Sequence, residues 1–218
     1  RKQQKSKLMP QPALIFAIGL ISLLLVLAKL RTFVNLTPSL VACVMRWKES
    51  VNLEESMELA RERDSIYFIL LLPDVLIASR YNIFGLDFLD SLSPELSLAI
   101  TAGIFLLIAL IRFAIQLPMG RGRCGERLYK AYLHSFRNFA IVASVLIMAA
   151  AGICSTIGAE DGTIAGTARI TIAVCYLIYL IRKAQIFASA NGAFSSFLYL
   201  CALELLPTAA VLAAAIVF

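Results

Sequence analysis

Long apolar runs separated by short polar stretches set the pattern of this chain. The runs cover about residues 12–30, 66–80, 96–117, 136–157, 166–187 and 194–218. A helix needs ~20 apolar residues to cross a hydrocarbon core of about 30 Å, and these runs approach or reach that length. Hydrocarbon offers the backbone no hydrogen-bond partner, so spanning segments are helices or a closed barrel. The runs lack the period-2 alternation of barrel strands. The pattern therefore predicts an all-α, polytopic transmembrane helical bundle of about six spans, with residues 1–218 as a single membrane domain.

The polar interval 31–65 breaks the series. Its stretch "SVNLEESMELARERDS" offers Ser50 or Asn52 as a helix cap and sets Leu53, Met57 and Ala60 on one helical face,. It predicts a cytoplasmic amphipathic segment feeding the second span. Within it, "TFVNLTPSLVACVMRW" is apolar enough to raise a seven-span alternative in which 32–47 crosses. Asn35, Thr37, Pro38 and Ser39 favour a helix lying along the inner surface instead,.

Composition strengthens the membrane reading: 60% of residues are hydrophobic, 16% are charged and the mean hydropathy is +0.83. An average soluble domain carries about 25% charged residues. The net charge of +6 comes from basic residues in short loops between spans, which fits orientation in a membrane better than nucleic acid,. A six-span arrangement places 14 Lys and Arg on one side and 6 on the other, putting residues 30–65, 118–135 and 184–193 in the cytoplasm and both termini outside,. The seven-span alternative divides them 16 to 4 by bringing the basic amino-terminal tail inside. That tail and the first run resemble a signal peptide, but the run is long and no small-x-small site follows, so it reads as a retained span. Five cysteines without CxxC spacing and a single histidine, His134, supply no metal or haem ligand set, and no cofactor is expected,.

Candidate chemistry is confined to a few polar residues inside apolar runs. Glu204 stands in "FLYLCALELLPTAA", three residues before Pro207, and Asp74 directly follows Pro73. Each proline leaves a carbonyl one turn earlier without its donor, so Pro73 and Pro207 read as helix breaks. A carboxylate at these depths has to be protonated, paired or wet. Arg112, in "LLIALIRFAIQLP", is the candidate partner for Glu204 and Asp74, with Tyr176, Tyr179 and Gln116 completing a polar cluster. Two acids around one arginine would raise at least one carboxyl pKa. The functional reading is a proton or cation relay; the plainer one is a Glu204–Arg112 pair that locks the bundle. The loop "QLPMGRGRCGERLYKAYLHSFRN" adds Arg121, Arg123, Arg127 and Lys130, a basic surface suited to anionic lipid headgroups, without P-loop spacing,. Small residues in "MAAAGICSTIG", "GTIAGTA" and "PTAAVLAAAIVF" suit close helix packing.

The ending "FSSFLYLCALELLPTAAVL", with the "RLYKAY" sequence at Arg127 to Tyr132, resembles an uncharacterised Bacteroidetes integral inner-membrane family catalogued as domain-of-unknown-function 4271. The resemblance implies an all-helical fold, a multi-pass place in a bacterial inner (cytoplasmic) membrane and about the topology counted above; it carries no activity. With no catalytic constellation and no extramembrane domain in view, the expectation is not an enzyme. The chain reads as an accessory or scaffold subunit of a larger cell-envelope complex, in contact with membrane lipids and with a protein partner or further copies of itself. The alternative is a small transporter or ion pathway through Glu204 and Asp74.

Overall fold

The computed structural model describes residues 13–116 and 126–191. Among these residues all regular structure is helical: α1 (Ala13–Ala28), α2 (Leu30–Met45), α3 (Trp47–Glu55), α4 (Met57–Arg80), α5 (Asp87–Asp90), α6 (Pro94–Gln116), α7 (Glu126–Thr156) and α8 (Asp161–Asn191). Three stretches are long and apolar enough to cross a membrane: Pro94–Ala114, Lys130–Thr156 and Asp161–Ile186. The pair α1 and α2, bent by 68° at Lys29, makes a fourth if it is one broken span. The described residues thus carry three to four candidate spans. Of the six expected, 194–218 lies outside the described residues, and 66–80 falls in α4, where Arg63, Asp64, Asp74 and Arg80 interrupt the apolar run.

The polar interval 31–65 forms three helical pieces. In α2, Leu36, Leu40 and Cys43 are buried while Leu30, Val34, Val41 and Met45 are exposed. The buried stripe joins Leu53 of α3, Ile66 and Leu70 of α4, and Ile141 of α7 in one core. The cap expected at Ser50 or Asn52 is instead at Ser56, whose hydroxyl accepts from the Leu59 N–H at 3.4 Å. The chain is extended at Ser56, so Leu53 and Met57 belong to different helices. Leu53 is buried; Met57 is 87% exposed. From Met57 one helix continues unbroken through Pro73 to Arg80. Pro73 removes a single ladder bond, and α1, α6 and α7 all pack against α4, so the expected break does not form.

Contacts along α4 set its register on α7. Tyr67 meets Phe136, Leu70 shares a core with Ile141, Asp74 bonds Ser144, and Ala78 shares a core with Ile147. Residue numbers rise together, so α4 and α7 run in the same direction. Lys183 over Tyr132, Tyr179 against Phe136, and Ala168 with Ile147 place α8 antiparallel to α7. These two helices form the most extensive pair. Ala151, Ala165 and Ala168, drawn from the small-residue runs, are all buried, as close approach requires.

The connection from α4 to α6 is a tight fold-back. Asn82 takes a left-handed φ of 45°, and its side chain brackets Leu86, donating to the carbonyl at 3.0 Å and accepting from the N–H at 3.1 Å. Arg169 of α8 donates to the Ile83 and Asn82 carbonyls at 2.7 and 3.1 Å. Gly85, at φ 68°, lets that guanidinium approach: a Cβ there would sit 3.2 Å from Arg169 Nη2.

Candidate functional site

Polar side chains gather at three levels of the bundle. The lowest joins α3, α4 and α7. Arg63 is fully buried; its Nη1 bonds Glu54, its Nε donates to Asp64 Oδ1 at 2.9 Å, and its Nη2 approaches the same oxygen at 2.7 Å off the hydrogen-bond line. Arg137 donates to the other Asp64 oxygen at 2.5 Å, and His134 Nδ1 lies 2.9 Å from Glu54 Oε2. Burial works to raise the Glu54 carboxyl. The hydrogen bond from His134, then the Arg63 charge and hydrogen bond, outweigh it and hold the group below the usual carboxylate range. For Asp64, burial is again the largest influence, overcome by the Arg137 hydrogen bond and the Arg63 charge, so its carboxyl is also held low. These are two acids and two arginines in mutual contact, a neutral set that ties three helices.

The middle level is built on Tyr179, whose ring and hydroxyl are buried. Arg112 Nη2 from α6 and Lys183 Nζ from one turn on in α8 both lie 2.7 Å from the Tyr179 hydroxyl. The Arg112 guanidinium also stacks 3.7 Å from the Phe136 ring centre, and Lys183, only 1% exposed, lies 4.1 Å from that of Tyr132. Aromatic faces favour both cations, most strongly where water is excluded.

The upper level holds Asp74. Its Oδ2 lies 2.5 Å from Ser144 Oγ, and its Oδ1 is buried without a hydrogen-bond partner among the described residues. Ser144 stands eight residues beyond Phe136 on α7, about 12 Å of helix. Asp74 and Arg112 therefore occupy separate levels, and the expected cluster of the two does not form. Arg112 with Tyr179 does. Glu204, Pro207, Arg121 and Arg123 lie outside the described residues. Arg127 and Lys130 fall not in a loop but in the first turns of α7, which begins well before the expected span at 136; Lys130 is exposed.

Three central residues escape the sequence reading. From sequence Lys183 is one more charge near the end of the run 166–187, although Tyr176, Tyr179 and Lys183 share a helical face at spacings of three and four. Arg63 and Glu54 lie in different helices on either side of the Ser56 break, so nothing in their local spacing announces that they meet. Among the described residues no group of His, Cys, Asp or Glu side chains is arranged to hold a metal ion. No protein-family model, curated protein or solved structure matches the chain.

Proposed function

We propose that this chain is a non-catalytic scaffold or accessory subunit of a larger envelope complex in a bacterial inner membrane, crossing it about six times with its basic segments on the cytoplasmic side. The observation that carries the reading is how the buried and half-buried charges of the lower and middle levels are used: Arg63, Glu54, Asp64, Arg137, Arg112 and Lys183 each reach a group on another helix or brace one that does. Such charges hold helices in one arrangement. The alternation of direction among α4, α7 and α8 supports counting 66–80 as a span, because that stretch runs beside α7 through Ala78 and Ile147. On α6 the large side chains of Leu106, Leu107, Leu110 and Phe113 are exposed, open to lipid or to a partner. The plainer sequence reading of Glu204, as a carboxylate paired with Arg112, belongs to the same scheme.

Purification in mild detergent at native expression tests the reading. A complex of fixed stoichiometry containing a second protein or further copies of this chain is expected; a stable monomer with nothing bound overturns it.

One observation favours the second reading, a proton or ion pathway through Asp74 and Glu204: the unpartnered Oδ1 of Asp74 inside the helix bundle. Flux in proteoliposomes that depends on pH and is lost in Glu204→Gln, with the variant still assembled, would establish it over the scaffold.

A further inference from the structure

Ser144 Oγ is 2.5 Å from Asp74 Oδ2 and 2.8 Å from the Ala140 carbonyl oxygen one turn earlier in α7. A hydroxyl has one hydrogen to donate and can also accept, while a carbonyl oxygen only accepts. When the Ser144 hydrogen serves the carbonyl, the short contact with Oδ2 takes a second hydrogen, and the carboxyl is the group beside it that can hold one. The other carboxyl oxygen points the same way. Oδ1 is buried with no hydrogen-bond donor among the described residues, a costly position for an ionised oxygen and a far milder one for the carbonyl of a neutral acid.

We propose that Asp74 is a proton-binding site, with a dissociable hydrogen on Oδ2 donated to Ser144 Oγ and the Ser144 hydrogen passed to the Ala140 carbonyl. Among the described residues the carboxyl stands away from compensating charge; α2 and α3 meet α4 around Ile66 and Leu70, on the Arg63 side of Asp74. On α4 the nearest titratable groups are Tyr67 and Asp64 about two to three turns to one side and Arg80 nearly two turns to the other. On α7 Arg137 lies two turns below Ser144, and on α6 Arg112 lies at the level of Phe136. Arg169 of α8 is engaged with the carbonyls of Ile83 and Asn82. Helix α1, which also packs on α4, has no titratable residue between Ala13 and Ala28. A proton on the carboxyl is then the simplest way to keep it neutral in that wall.

This deepens the pathway reading but needs only Asp74 and its neighbours. An absence of flux in vesicles would remove the pathway and leave a stationary bound proton, so the two failures are separately visible. The scaffold reading is indifferent to it.

Infrared difference spectroscopy on the full chain in lipid at neutral pH, wild type minus Asp74→Asn, is the test. A carboxylic-acid C=O band present in the wild type and lost in the variant is expected; carboxylate bands lost in its place overturn the assignment. Subtraction removes any contribution from Glu204. Ser144→Ala is the second variant, read against the wild type in case Asp74→Asn does not assemble. It keeps the acid and removes its partner, so the acid band is expected to shift in frequency; an acid band that stays in place, or none to shift, overturns the proposal.

Discussion

Arg63 sets the residue-scale argument. Its guanidinium is wholly inside the protein and faces Glu54 on α3 and Asp64 beside it on α4, which Arg137 of α7 holds from the far side. Removing one partner of a buried ion pair leaves the other charge uncompensated and costs about 3–5 kcal/mol. Arg63→Ala is expected to fall in that range in reversible unfolding in detergent, and the double change with Glu54→Leu to recover part of the loss; an Arg63→Ala protein as stable as the wild type would contradict the tie. The same contacts give a pH dependence. Glu54 and Asp64 are both held below the usual carboxylate range in the folded protein, so the stability they contribute is present above the unfolded values and is lost as pH falls through the lower folded ones. Most of it belongs to Glu54, since the Asp64 side chain is 32% exposed and screened by water,. Melting temperature measured from neutral pH downward is expected to fall through the acid range, and to fall less in Glu54→Gln.

At the scale of elements, much of the helical pattern could be read directly and its punctuation could not. Apolar runs locate α1, α6, α7 and α8 because a twenty-residue apolar stretch has few alternatives. The start of α4 was misplaced because Ser50, Asn52 and Ser56 are all chemically able to cap, and only the tertiary position of Leu53 decides among them. Ser56→Ala is expected to destabilise by about 1 kcal/mol, the usual cost of a lost cap, whereas Ser50→Ala removes no cap. Pro73 misled for a related reason: a proline's missing donor is local, but whether the helix breaks depends on neighbours that hold it. The bend at Lys29 has consequences for labelling. Cys43 on α2 is completely buried, so its protection from a thiol reagent says nothing about whether 32–47 crosses. Val41, 47% exposed on the same helix, gives the usable site: with the native cysteines replaced, Val41→Cys is expected to react with an apolar maleimide and to be slow with a charged one if α2 lies in the inner leaflet. Rapid reaction with the charged reagent from the cytoplasmic side would place that face in water.

For the whole molecule, the helix directions form the frame. α4 and α7 run one way, while α6, from Ser97 beside Ser79 to Arg112 beside Phe136, and α8 run the other. Of the site, sequence spacing alone revealed Asp74 and the meeting of Arg112 with Tyr179, because lone polar residues stand out in apolar runs. It gave no warning that Asp74 and Arg112 sit at different levels, since depth along one helix does not fix register against another. The buried tie at Arg63 was hidden for the opposite reason: in a polar stretch, one more charge attracts no notice. The proton held at Asp74 does not depend on orientation, whereas the scaffold reading presupposes that the bundle crosses the membrane with its basic side inward. Single cysteines at Met57 and Ile157, 87% and 74% exposed, test this most directly. In a background lacking the native cysteines, a membrane-impermeant maleimide is expected to label Met57→Cys only from the cytoplasmic face and Ile157→Cys only from the opposite face; labelling of both from one face would contradict the account.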